Sequence, residues 1–278
     1  MVIASLNYLA PMREAVRTYT TEPPAGTPRF NGRLEPHRMT INDARPIRAE
    51  LSLDGQGFVL VEHVSAVHDF WDEDELRAVH YAEAEDLVRT ATGARRALVF
   101  DHTLRRRAPG RPPLDGTGGS FAAVREPVGR VHADYTSISA RDRMRQVLGA
   151  AEAADRMRCR FAIVGLWRPT NPQPLLDAPL ALCDARSVGA NDMVANELIY
   201  PDRRGQTCIG IHNPGHRWFF FPAQRRDEVI VFKNFDSAAG TDGIAGVVPH
   251  TAFDDPTAPA DAPRRESIEL RAFAFFDA

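Results

Sequence analysis

The sequence predicts a mainly β protein with flanking α-helices, arranged as a sandwich or barrel. From Arg160 onward, short runs rich in β-branched and aromatic residues recur with turn signals between them. They are Phe161 to Trp167, Leu180 to Asp184, Glu197 to Tyr200, Cys208 to His212, Trp218 to Phe221, Val229 to Phe232, Val247 to Phe253 and Ser267 to Phe276. Ahead of them lie two stretches of helical periodicity, and no internal repeat or low-complexity run interrupts the pattern. With 278 residues and 44% hydrophobic content, the chain is expected to bury one large core as a single domain, 1–278.

In chain order, residues 1–50 carry scattered prolines (Pro23, Pro24, Pro28, Pro36, Pro46) and short apolar pieces, which read as an N-terminal arm. Leu51 to Val61 has two strand-like runs around a Gly-containing turn, a hairpin candidate. Asp72-Glu73-Asp74-Glu75 opens a helix, with Asp72 and Glu75 at capping-box spacing. Leu76, Val79, Ala84, Leu87, Val88 and Ala91 form its apolar stripe and Gly93 its stop. Ala97 to Leu104 reads as a strand that begins the β core, 97–278. Arg105-Arg106-Arg107 and the Pro/Gly-rich stretch to Gly119 read as a solvated loop, placed to act as a lid. An inserted helix is expected near 139–156, with Met144, Val147, Leu148, Ala151 and Ala154 on one side.

The formal charge of −3 offers no basic field for nucleic acid and no polybasic patch for a membrane. No run of 18 apolar residues exists, and Met1 to Asn7 lacks a charged region followed by an apolar one, so the expected location is the cytoplasm. Cys159, Cys183 and Cys208 are few and far apart, which reads as free buried thiols.

The chemistry is carried by Arg130-Val131-His132-Ala133-Asp134-Tyr135-Thr136. In a strand, His132 and Asp134 share a face and can grip one metal ion. With nine histidines and 22 aspartates in the chain, about 0.7 His-x-Asp pairs arise by chance, so the pair gains weight only from its partners further along the chain. His250, in Val247 to Phe253, supplies a third ligand; two histidines and a carboxylate suit iron(II) with positions left open. Arg265-Glu266-Ser267 comes next, with an arginine fork and a hydroxyl on one strand face that can bind a carboxylate; Arg271, on the same face, is the runner-up.

Val131 to Asp134, Leu166-Trp167-Arg168-Pro169, Leu182 to Ser187, His216-Arg217-Trp218, Phe232-Lys233, Pro249 to Pro256 and Arg265 to Arg271 resemble one family of tailoring proteins. It holds cephamycin 7-alpha-hydroxylase-like, gibberellin desaturase-like and fungal aspergillic-acid hydroxylase-type members, grouped with the iron(II)/2-oxoglutarate oxygenases. The resemblance runs from Leu98 to Phe276. It implies a double-stranded β-helix (jelly-roll, cupin-like) core and iron(II) on His132, Asp134 and His250. It also implies 2-oxoglutarate as co-substrate, its far carboxylate on Arg265 and Ser267, and dioxygen as oxidant. The outcome would be hydroxylation or desaturation of a small natural product, whose identity does not transfer.

Trp167, Arg168, Arg186 and Trp218 are candidate substrate-binding residues, with Phe219, Phe220 and Phe221 as further aromatic wall. His102 reads as a structural histidine or as one near the co-substrate. Two other classes stay open: a non-catalytic jelly-roll protein assisting a partner enzyme, and a cupin-like zinc or manganese protein using His212, His216 and His250.

Overall fold

A computed structural model describes residues 1–112, 114 and 124–276. Two sheets make the jelly roll. The first strands are β1 (Val2–Leu9), β2 (Val16–Tyr19), β3 (Leu34–Asp43) and β4 (Phe58–Glu62), followed by the helical pieces α1 (Glu73–Glu75) and α2 (Tyr81–Thr92). Then come β5 (Arg96–Arg106), β6 (His132–Ala133), α3 (Ser137–Leu148) and α4 (Ala150–Arg156). The remaining strands are β7 (Phe161–Pro169), β8 (Leu180–Cys183), β9 (Met193–Ile199), β10 (Arg204–Gly210), β11 (Trp218–Phe220), β12 (Glu228–Asp236), β13 (His250–Ala252) and β14 (Glu266–Phe275). A curled nine-stranded sheet runs β1-β3-β11-β8-β13-β6-β10-β9-β2, and a five-stranded one runs β4-β12-β7-β14-β5.

All eight strand-like runs after Arg160 form strands. Several other expectations are corrected. Residues 1–50 are not merely an arm: β1 pairs antiparallel with β3 over eight positions, and β2 closes the far edge alongside β9. The alternation of Ala4, Leu6 and Tyr8, all buried, against Ser5 and Asn7 marks β1 as a half-buried strand. Leu51 to Val61 is no hairpin; its one strand is β4, which pairs with β12. The helix from Asp72 contains a π turn over Leu76–His80 before α2. Asp72 Oδ1 caps the Asp74 and Glu75 amides, whereas the Glu75 carboxylate turns back to the His68 and Asp69 amides. Gly93 ends α2 in the left-handed region (φ 71°).

The inserted helix is two helices. Gly149, at φ 80°, breaks it, so the phase shifts: Ala153 becomes buried while Ala151 and Ala154 face solvent. Among the thiols, Cys183 is buried while Cys159 and Cys208 are half-buried, and all three are free. No helix among the described residues is long and apolar enough to cross a membrane.

Period two sorts the side chains that matter. On β14, Ile268, Leu270, Ala272 and Ala274 pack beneath Leu76, Ala84 and Val88 of the helical layer. Of the alternate positions, Ser267, Glu269 and Arg271 therefore turn away from that layer, while Phe273 and Phe275 pack with Ala140 and Met144 of α3 and Ala153 of α4. On β8, Leu180 and Leu182 join Trp167, Ile230 and Phe232 between the sheets, while Ala181 and Cys183 turn to the other face with Tyr8 and Trp218. Burying each such aliphatic or aromatic side chain contributes about 1.5–3 kcal/mol, which fixes both registers.

Candidate active site

His250 lies opposite Leu182 in the β13–β8 ladder and opposite His132 in the β13–β6 ladder, so both histidines share the inner face. Their ring centroids are 4.4 Å apart. Each ring is held alike: His132 Nδ1 bonds to the Arg130 carbonyl at 2.9 Å, and His250 Nδ1 to the Val248 carbonyl at 3.0 Å. A carbonyl only accepts, so Nδ1 carries the proton and Nε2 keeps its lone pair. His250 is 2% exposed, and its Nε2 has no hydrogen-bond partner among the described residues. Asp134 Oδ1 sits 3.7 Å from His132 Nε2.

His132, Asp134 and His250 thus offer three ligand atoms within 4.8 Å of one another. The donor set fits iron(II): neutral imidazoles, one carboxylate, an orphaned buried nitrogen. Burial holds the His132 pKa well below its ordinary value, with His250 adding to the effect, and burial also lowers His250. For Asp134 burial, the largest single influence, works the other way, but Arg271 together with His250 and His132 outweighs it and keeps the carboxyl below the usual carboxylate range.

Beside this cluster, β14 and β5 present a polar strip. Ser267, Glu269 and Arg271 lie opposite Arg105, Thr103 and Asp101. Arg265, just before β14, is 2% exposed. Its Nε donates to Ser267 Oγ at 3.0 Å, its Nη1 to the Ala178 carbonyl at 2.8 Å, and its guanidinium lies 4.8 Å from the Trp167 ring centroid. Burial, then the charge of Arg105, pushes its pKa down to about 9. A guanidinium so placed, bonded to neutral acceptors, is short of an anion.

Arg271 is engaged otherwise. Its Nε donates to Asp134 Oδ2 at 2.6 Å and its Nη1 to Asp101 Oδ1 at 3.0 Å. Its Nε and Nη1 donors are thus taken by carboxylates, which counts against the runner-up reading of this residue as co-substrate anchor.

A cavity of about 760 Å³ opens over His132, Asp134 and Arg271. Its walls come from β2 (Thr18, Tyr19), the β9–β10 hairpin (Leu198, Tyr200, Arg203) and α3 (Ile138, Ser139, Arg143). Arg105 also lines it, so the expected solvated loop at 105–107 is corrected. β5 runs through Arg106, Arg105 faces the cavity, and Arg107 is buried with an ion pair to Asp254. The lid expected over the stretch to Gly119 falls partly outside the described residues, at 113 and 115–119. His102 is satisfied on both nitrogens, by the Tyr81 hydroxyl at 2.9 Å and Glu73 at 3.1 Å, while standing at the cavity wall.

The four expected substrate residues do not line this cavity. Trp218 is on the opposite face of the nine-stranded sheet, its Nε1 donating to the Tyr8 hydroxyl at 2.8 Å. Arg168 faces the helical side of β7, donating to the Arg226 carbonyl (Nε, 2.9 Å) and the His63 carbonyl (Nη2, 2.7 Å). Arg186 makes a forked surface pair with Asp184 at 3.0 and 2.8 Å. Trp167 is buried as the platform under Arg265. The zinc or manganese reading is corrected as well: His216 bonds to Tyr8 and Asp192 at 3.0 Å each, and His212 stacks on His37 at 3.8 Å, both apart from His250. Sequence reading missed Arg105, Asp101, Thr103 and Glu269. The signal was present: polar Ser267, Glu269 and Arg271 alternate with apolar Ile268, Leu270 and Ala272 in a strand otherwise built for burial.

The oxidoreductase/YMDC permease-like domain family matches residues 6–275. A hydroxylase/desaturase, efuI, of Hormonema carpetanum is 30% identical, over 99% of this chain and 95% of its own. An Fe(II)/2-oxoglutarate-dependent dioxygenase, nvfI, of Aspergillus novofumigatus is 30% identical over 92% and 90%. The solved structure of the iron and alpha-ketoglutarate-dependent endoperoxidase NvfI matches with a TM-score of 0.86 at 26% identity, covering 99% of this chain and 98% of that one. A non-catalytic helper role is not favoured by these relatives. The chain belongs to the iron(II)/2-oxoglutarate-dependent oxygenases, enzymes that take iron(II), 2-oxoglutarate and dioxygen.

Proposed function

We propose that His132 Nε2, Asp134 Oδ1 and His250 Nε2 hold the iron, and that Arg265 and Ser267 take the far carboxylate of 2-oxoglutarate. On this reading the whole chain is one oxygenase domain that hydroxylates or desaturates a small organic molecule seated in the cavity. The observation carrying it is the pair of in-register histidines whose Nδ1 atoms are both tied to backbone carbonyls, with Asp134 beside them. When bound, iron with 2-oxoglutarate and dioxygen supplies the oxidising power to break an unactivated C–H bond.

The chain's own residues do the rest. The Arg130 and Val248 carbonyls fix which imidazole nitrogen faces inward. Ser267 Oγ accepts from Arg265 and so keeps its own hydrogen to donate to a carboxylate. Arg105, opposite Ser267, adds a second cation near the same place. Burial strengthens these charge-assisted bonds and keeps water from the reacting carbon. A cavity of about 760 Å³ suits a small molecule rather than a protein or nucleic-acid chain. NvfI is named an endoperoxidase, so insertion of dioxygen is a third outcome to look for.

The test incubates the iron(II) protein with 2-oxoglutarate and panels of small amphiphilic acids, peptides and oligonucleotides, with succinate release and product mass as readouts. A gain of roughly 16, or a loss of roughly 2, mass units on a small molecule supports hydroxylation or desaturation. Coupled turnover confined to peptides or oligonucleotides would refute the substrate class.

A further inference from the structure

We propose that Arg271 is a positioning residue that fixes Asp134 as a one-oxygen metal ligand. The inference rests on the reading of His132, Asp134 and His250 as the metal site. A carboxylate has two equivalent oxygens and, left free beside a cation, can turn or chelate through both. Here Oδ2 is committed: Arg271 Nε donates to it at 2.6 Å, a short charge-assisted bond. Only Oδ1 is left on the side of His132 Nε2, 3.7 Å away.

Arg271 is itself braced. Its Nη1 donates to Asp101 Oδ1 at 3.0 Å and reaches Thr103 Oγ1 at 3.4 Å, and Asp101 Oδ2 accepts from Arg143 Nη2 at 3.0 Å. The series Arg143, Asp101, Arg271, Asp134 alternates in sign from helix α3 to the metal site. Arg271 and Asp134 are each 13% exposed, so solvent screens their bond little. A planar fork held at two points cannot follow Asp134 if it rotates, which makes the fixed oxygen a property of the protein rather than of the ion. Held so, Asp134 would offer a bound ion Oδ1 alone, beside the two imidazoles.

Cobalt(II) serves as the probe, titrated anaerobically into the full chain and read by its visible absorption. Arg271→Leu is expected to weaken cobalt binding about ten- to hundredfold and to change the absorption bands. Arg271→Lys, with one compact donor group, should restore part of the affinity. Asp101→Asn, which loosens the brace without touching Asp134, should shift both readouts in the same direction by less, and it carries the test if Arg271→Leu does not fold. Wild-type cobalt affinity and bands in Arg271→Leu, or in Asp101→Asn should the former not fold, would overturn the proposal. So would a loss of 2-oxoglutarate binding in Arg271→Leu with cobalt parameters untouched. Asp134→Ala reports on the underlying reading: wild-type cobalt binding there would remove the metal site itself.

Discussion

His132 and His250 are direct partners across the β6–β13 ladder, their rings inclined at 55° with both Nδ1 atoms bonded to the carbonyl two residues upstream. A metal bound there joins two short strands that are far apart in the chain. Since the unfolded chain does not present such a site, the ion should stabilise the fold by mass action. At about a hundredfold excess over its dissociation constant, cobalt or anaerobic iron(II) should add about 2.7 kcal/mol of apparent stability. Denaturant midpoints with and without metal measure this, and the increment should vanish in the His132→Ala/His250→Ala double variant.

Arg265 should govern the co-substrate. Removing one charge-assisted partner of a buried carboxylate costs on the order of 1.5–3 kcal/mol. Arg265→Leu should therefore weaken 2-oxoglutarate binding about tenfold or more in anaerobic titrations of the metal-loaded protein. Arg271→Leu should act on the metal instead. Equal losses of 2-oxoglutarate affinity in both variants would show the anchor to be misassigned.

Trp218 should matter for stability and not for the co-substrate. Its indole N–H donates to the buried Tyr8 hydroxyl, which also bonds to His216, on the sheet face away from the site. Trp218→Phe loses that bond and some packing, a cost of about 1–3 kcal/mol. Urea unfolding should record it while 2-oxoglutarate affinity stays at the wild-type value. Arg186→Ala removes a half-exposed guanidinium from buried Asp184, which keeps its pair with Arg217, and should change stability by about 1 kcal/mol or less.

The β-branched and aromatic runs from Phe161 onward are marked enough that every expected strand there exists; β7 and β12 bury both faces and their composition records it. β1 is as legible, with Ala4, Leu6 and Tyr8 alternating inward, yet the prolines after it favour an arm when composition alone is weighed. His132 and Asp134 are readable as a pair because i and i+2 in a strand share a face, whereas His250 joins them only through the β6–β13 register. Arg105 is not readable, since a run of three arginines carries no mark of which one points inward until β14 lies opposite. The substrate residues escape prediction for a related reason. Trp167 and Arg168 sit on opposite faces of β7, and residue type alone does not say which face meets the cavity.

His80 should contribute a pH dependence unrelated to the active site. It is buried against Phe70, with Nδ1 on Glu83 at 3.0 Å and Arg168 and His63 near. Burial pushes its pKa down to about 4, against the upward pull of Glu83. Because the folded value lies below the unfolded one, the stabilisation is complete above the ordinary histidine pKa and is lost as pH falls toward the folded value. At about pH 5 the loss should be about 2 kcal/mol relative to neutrality. His80→Leu should flatten that part of the stability profile, and an unchanged slope would show that the group titrates normally.

The iron content of anaerobically purified protein reconstituted with iron(II) tests the metal assignment most directly. One iron per chain is expected, with loss of most of it in His132→Ala and in His250→Ala, and loss of activity in Asp134→Ala, which removes the only anionic ligand of the trio. Full iron occupancy in the His132→Ala/His250→Ala double variant would contradict the assignment of the metal to this site.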